Sequence, residues 1–230
     1  TGNSRNILAG YFAMRMGIPV NRFLCASNRN RVLTDFINTG VYDRNREFYT
    51  TASPSMDILI SSNLERLLYL LSGEDTGRLN HWMEELKTAG RYEVDAETFE
   101  KLTAKFSGEA CDDGEGAAAL RQLFEKTGYL CDTHTAVAVG AYQKYLVKTG
   151  DDTPAVIVST ASPYKFAASV LEALGQTPAA DDFAKIEQLA AVSGTAVPAP
   201  IAALKGKSVR FTKVCDKASM VEAVYSLLRM

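Results

Sequence analysis

With 230 residues, 47% of them hydrophobic and 23% charged, the chain has the composition of a globular protein able to bury a core without disulfides or metals. A formal charge of −2 lacks the basic excess that nucleic-acid binding draws on, and the sequence shows no secretory pattern and no apolar run of transmembrane length. Cys25, Cys111, Cys131 and Cys215 are widely separated, with only His81 and His134 to assist, which argues against a zinc site and for free thiols in a reducing, cytoplasmic setting.

The first predicted element is a helix. Ile7, Leu8, Tyr11, Phe12 and Met14 recur at helical spacing until Gly17 and Pro19 stop them. The turn before it, Gly2-Asn3-Ser4 with Arg5 and Asn6, leaves unpaired N–H groups at the positive end of the helix dipole. No initiator Met precedes Thr1 and no strand leads into it, so the chain reads as part of a larger functional unit. Residues 22–26 form a short apolar run read as a buried strand, and Val32, Leu33, Phe36 and Ile37 mark a second helix ending near Gly40. Residues 41–55 look like loop.

Helical spacing then dominates: Leu64, Leu67, Leu68 and Leu71, next His81, Trp82 and Leu86, then Phe99, Leu102 and Phe106 behind an Asp95 cap. Residues 58–113 are therefore read as a mostly helical insertion, with 108–116 as its exposed linker. Helices are expected at about 117–126 and 133–147, the latter capped by Asp132. Residues 155–160 are the clearest buried strand, rich in β-branched side chains. A helix is expected at 164–174, an extended Ala/Pro-rich stretch at 190–203, an edge strand at 208–212 and a closing helix at 220–228. The outcome is an α/β protein with a parallel sheet, residues 1–57 and 114–230 forming one portion around the insertion.

Four segments carry chemistry, each with an ordinary alternative. The Gly2-Asn3 turn suits a phosphate, or is simply a loop before a helix. Ser53-Pro54-Ser55-Met56-Asp57 sets three polar groups within one turn, or is only a turn. Asp132-Thr133-His134-Thr135 offers an acid/base imidazole, or a hydrogen-bonded structural histidine. Ser159-Thr160-Ala161-Ser162-Pro163 lies where ligands meet strand ends and offers a neutral hydroxyl, or is a capped strand-to-helix turn.

In this order the four segments resemble threonine synthase. Thr1-Gly2-Asn3, with Asn6-Ile7-Leu8-Ala9-Gly10-Tyr11, is similar to TGNFG-x-ILAGY. Ser53-Pro54-Ser55-Met56-Asp57-Ile58 with Ser61-Ser62-Asn63 and Glu65-Arg66-Leu67-Leu68 is similar to SPSMDI…SSNxERLL. Asp132, His134-Thr135-Ala136-Val137-Ala138 and Thr160-Ala161-Ser162-Pro163-Tyr164-Lys165-Phe166 resemble DPHTAVA and TAHPAKF.

The resemblance implies a three-layer pyridoxal-phosphate domain of fold type II, like that of the tryptophan synthase β subunit. It implies conversion of O-phospho-L-homoserine and water to L-threonine and phosphate. It assigns Gly2, Asn3, Ser4, Arg5 and Asn6 to the cofactor phosphate and Thr160 to its pyridine nitrogen, with Ser53, Ser55, Asp57 and His134 as motif residues for substrate or structure. It places the Schiff-base lysine upstream, so this chain holds no catalytic residue, Lys165 belonging to a different motif. The chain alone is then expected to be inactive, its intramolecular partner being a missing N-terminal half, with homodimerisation of the fragment through the face so exposed. Ser4-Arg5 stands where the family has Phe-Gly, and Ser162 where it has His. These departures motivate one alternative, a related phospho-lyase with another product; a separate alternative is a naturally independent, non-catalytic binding or interaction domain.

Overall fold

The computed structural model describes residues 5–210 and 212–228. These fall into two compact units, residues 1–196 and 197–230. In the first, α1 (Arg5–Arg15) leads to β1 (Phe23–Ser27), α2 (Val32–Thr39) and β2 (Val41–Asp43). Then come α3 (Leu64–Leu71), α4 (Thr76–Thr88), β3 (Arg91–Glu93), α5 (Ala96–Lys105) and β4 (Phe106–Ala110). α6 (Asp113–Thr127), α7 (Thr133–Thr149), α8 (Ala167–Ala173) and α9 (Asp182–Ser193) complete it.

β1 and β4 pair in parallel, Phe23 opposite Phe106 and Cys25 opposite Gly108. Alternation along β1 sends Cys25 into one cluster with Val32, Leu33 and Phe36 of α2, and Ala26 into another with Val137 and Ala141 of α7. Helices thus cover both faces, the three-layer arrangement that a parallel pair requires. At the start of the ladder the Phe23 and Phe106 rings stack at 5.3 Å, and Tyr11 of α1 closes over Phe106 at 5.7 Å. β2 and β3 form a separate antiparallel ribbon whose opposed Tyr42 and Tyr92 rings stack at 5.2 Å, with Trp82 beyond.

The expected caps are in place. Asp95 accepts from the Thr98 N–H at 2.9 Å, and Gly40, at φ 77°, closes α2 by donating to Phe36 O. Several expectations are overturned. Phe106 is no longer helical; it opens β4. Residues 108–116 are not a linker: they contain the end of β4 and the Asp112/Glu115 capping box that starts α6. A boundary at 113 therefore leaves β4 on the other side from its partner β1, and β3 on the other side from its partner β2. β2 forms where loop was expected, and α9 runs into the stretch read as extended.

Residues 155–160 are not a buried strand. They have no regular secondary structure, join no ladder among the described residues, and expose Val156 (91%) and Val158 (53%). β-branched side chains favour extended backbone, but a strand exists only through a neighbour, and none of the described residues pairs with this run.

The second unit contains α10 (Ala199–Ala202) and α11 (Met220–Leu228), whose Val221, Val224, Leu227 and Leu228 are all exposed. The edge strand expected at 208–212 does not form at 208–210 or 212, and Phe211 lies outside the described residues. No helix among the described residues is long and apolar enough to cross a membrane.

Gly108 fixes how closely α2 lies on the sheet. A Cβ there would come within 2.8 Å of Thr34 Cα and 2.9 Å of Thr34 O, both backbone atoms that cannot rotate away. Gly108→Ala should therefore lower the unfolding free energy by about 1–3 kcal/mol, the cost of overpacking, as measured by urea denaturation.

Candidate functional site

The carboxyl ends of β1 and β4 lie side by side, the Cys111 N–H donating to Ser27 O at 2.9 Å as the ladder ends. Directly beyond, Asn28 is completely buried. Its amide Nδ2 faces Asp57 Oδ1 (2.7 Å), Thr51 Oγ1 (2.8 Å) and Ser53 Oγ (3.0 Å), while its Oδ1 accepts the Asn30 N–H at 2.9 Å. Asn30 in turn donates to Tyr49 O and Asp57 Oδ1 and accepts the Tyr49 N–H. Asp57 also receives the Thr51 hydroxyl and N–H. A polar network this buried is stable only when each donor and acceptor is satisfied, and here the loop from Tyr49 to Asp57 supplies the partners. It pins the Ser53–Asp57 segment, with its Pro54–Met56 3-10 turn, onto the end of β1.

The second cluster caps α7. Asp132, also fully buried, accepts the His134 N–H (2.9 Å) and the Thr135 N–H (3.4 Å). It further receives His134 Nδ1 at 3.0 Å and the Thr135 hydroxyl. His134 Nε2 accepts the Ser55 N–H at 3.1 Å. A backbone N–H can only donate, so Nε2 carries a lone pair and the ring proton sits on Nδ1, pointing at Asp132. His134 is thus a neutral bridge between Ser55 and Asp132, its ring against Phe166 at 4.7 Å. Both nitrogens are occupied, which removes it from acid/base duty in this state. Burial raises the Asp132 carboxyl, but hydrogen bonds from His134 and Thr135 outweigh that and hold it below its ordinary value. Burial pushes the neighbouring Cys131 thiol up to about 12, so it stays protonated.

The third segment joins through Ser159, whose Oγ lies 3.1 Å from the Thr135 hydroxyl. Thr160 is exposed, and its hydroxyl makes no hydrogen bond among the described residues. Ser162 accepts the Tyr164 N–H at 3.3 Å and caps the Pro163–Phe166 turn. Lys165 points its ammonium at the Phe166 ring, 5.4 Å away.

Of the residues singled out from sequence, Ser53, Ser55, Asp57 and His134 converge, with the Ser159-Thr160 segment attached. Arg5 and Asn6 sit exposed in the first turn of α1, with no hydrogen bond to this assembly among the described residues. Gly2, Asn3 and Ser4 lie outside the described residues. Asn28, Asn30 and Thr51 escaped sequence reasoning. The one signal was a pair of asparagines two residues apart directly after a strand, where turn chemistry is also the ordinary meaning.

A parallel ladder clad by helices, with polar motifs gathered at its carboxyl ends, is an α/β architecture of the kind that binds ligands beyond its strand ends, and superposition on solved structures makes it that of fold type II pyridoxal-phosphate enzymes. Residues 135–224 match the family model "Threonine synthase, C-terminal". The chain is 43% identical to human threonine synthase-like 1, across 76% of this chain and 23% of that protein. It is 40% identical to threonine synthase of Saccharomyces cerevisiae, across 76% of this chain and 37% of that one. The crystal structure of yeast threonine synthase superposes with a TM-score of 0.83 at 31% identity, covering all of this chain and 47% of that one. Threonine synthase from Brucella melitensis with bound PLP gives 0.72 at 34%, covering 82% and 40%. The chain belongs to the threonine synthase family, and it spans between about a quarter and a half of these relatives' lengths.

Two measurements check this geometry. The imidazole 15N spectrum should show a pyrrole-type Nδ1 and a pyridine-type Nε2 at His134, whereas a mixture of tautomers would contradict the bridge. Because the folded Asp132 carboxyl lies below its unfolded value, its contribution is complete above about pH 4 and is lost as pH falls through the folded value. Urea unfolding should therefore show the native protein losing stability on acidification below about pH 4 more steeply than Asp132→Asn.

Proposed function

We propose that this polypeptide is the C-terminal share of a pyridoxal-phosphate lyase that converts O-phospho-L-homoserine and water to L-threonine and phosphate. The observation that carries the reading is the convergence of the Ser53–Asp57, Asp132–Thr135 and Ser159–Phe166 segments at one end of the parallel ladder.

The donor set suits pyridoxal phosphate. The first turn of α1, with Arg5 and Asn6 behind Gly2-Asn3-Ser4, is positive through its helix dipole and would hold the phosphate. The Thr160 hydroxyl, without a hydrogen bond among the described residues, would meet the ring nitrogen and, as a neutral group, would leave it unprotonated. When bound, the cofactor supplies an electron sink for carbanions formed next to it. The residues of this chain bind and orient: the asparagine network keeps the Ser53–Asp57 turn rigid, and His134 fixes the Ser55 N–H. The Schiff-base lysine comes from a segment outside residues 1–230, and the chain by itself is inactive. Borohydride reduction after incubation with pyridoxal phosphate should add no cofactor mass to any lysine here; a single modified lysine would overturn that part.

A second reading, a lyase on the same substrate with another product, draws support from Ser162 and from the higher identity to threonine synthase-like 1. The deciding assay uses a polypeptide of the relatives' full length containing residues 1–230. Phosphate and threonine in equal amounts support the main reading, and phosphate with 2-oxobutyrate supports the second. No phosphate release with cofactor bound overturns both.

A further inference from the structure

Among the described residues, five helices of the first unit begin with an aspartate whose side chain accepts a backbone N–H: Asp75, Asp95, Asp112, Asp132 and Asp181. Four of them are exposed or half-buried and take one backbone N–H each, Asp95 adding the Thr98 hydroxyl and the Arg78 guanidinium at the surface. Asp132 differs in being withdrawn from water. It is 0% exposed, and besides two backbone donors it takes a ring N–H and a hydroxyl. Capping alone does not require this, and a carboxylate withdrawn from water is costly unless every acceptor position is used.

The two extra donors lead outward in different directions. Through His134 the carboxylate reaches the Ser55 N–H at 3.1 Å. Through the Thr135 hydroxyl, shared between Asp132 and Ser159 Oγ, it reaches the Ser159-Thr160 segment at 3.1 Å. Among the described residues no ladder holds residues 155–160, and this contact is the hydrogen bond that ties their end to the body of the protein. We infer that Asp132 is a positioning residue: one buried carboxylate sets the segment carrying Ser159 and Thr160 in place beside the Ser53–Asp57 turn.

With no exposed surface, Asp132 cannot touch a ligand and acts only through His134 and Thr135. That Thr160 then meets a ring nitrogen rests on the reading above; the tether itself does not, and its test needs no cofactor.

The test is backbone 15N relaxation on the full 230-residue chain. In the native protein Ser159 and Thr160 should show order parameters of about 0.85, the value of rigid backbone. Thr135→Val, which keeps the shape but removes the hydroxyl, should lower them below about 0.6, and Thr135→Ser should restore them. Asp132→Asn should loosen the Ser159-Thr160 segment and also scramble the His134 tautomer, since both arms start from the same carboxylate. Order parameters unchanged in Thr135→Val, or lowered equally in Thr135→Ser, would overturn the inference. Should Asp132→Asn fail to fold, the Thr135 pair decides alone. Loss of the tether with normal cofactor binding in the full-length enzyme would refute the positioning role while sparing the functional reading. Absence of cofactor binding with the tether intact would do the reverse.

Discussion

The parallel ladder between β1 and β4 is the constraint on which the rest of the first unit depends. Two parallel strands cannot be joined by a tight turn and must be covered on both faces, so the chain spends residues 28–105 travelling from one to the other. α2 covers one face at a distance that only glycine at position 108 allows. α7 covers the other, and there too the approach is close: a Cβ on Gly140 would lie 2.5 Å from Cys111 Sγ. The ladder thus fixes where α7 begins, and α7's first turn carries the Asp132 cluster.

Two kinds of polar construction meet at that end. The Asn28, Asn30 and Asp57 network is a matter of loops satisfying amides, and it gives the turn its shape. The Asp132 cluster is a charge withdrawn from water, and it gives the turn its place relative to α7 and the Ser159-Thr160 segment. They share no hydrogen bond but act on the same short segment, one through Ser53 and Asp57, the other through Ser55. A turn held from both sides can present its groups without reorganising, which is what preorganised binding requires.

What the sequence made legible was local. The caps at Asp95 and Asp132, the stop at Gly40, and the amphipathic stripe of Leu64, Leu67, Leu68 and Leu71 were readable because each depends on residues within a turn or two. The motif segments were legible too, as sets of polar groups at strand and helix ends. Nonlocal pairing was not. Phe106 continues the helical spacing of Phe99 and Leu102, and only its stacking on Phe23 makes it the first residue of a strand. Asn28 and Asn30 have turn chemistry on paper; their amides acquire a purpose only when Tyr49, Thr51 and Asp57 fold back over them. His134 could be read as a base or a brace, and the deciding fact, that the Ser55 N–H points at Nε2, has no trace in residue order.

A run whose N–H and C=O groups take part in no backbone hydrogen bond among the described residues is also a template. An extended second chain laid along residues 155–160 would gain ladder bonds at once, with Val156 and Val158 as the adhesive. Pro154, lacking an N–H, blunts one end of that edge, and at the other the chain is already engaged with α7 through Ser159. The length of ribbon open to recruitment is therefore short and bounded, which favours a single matched strand over open-ended stacking.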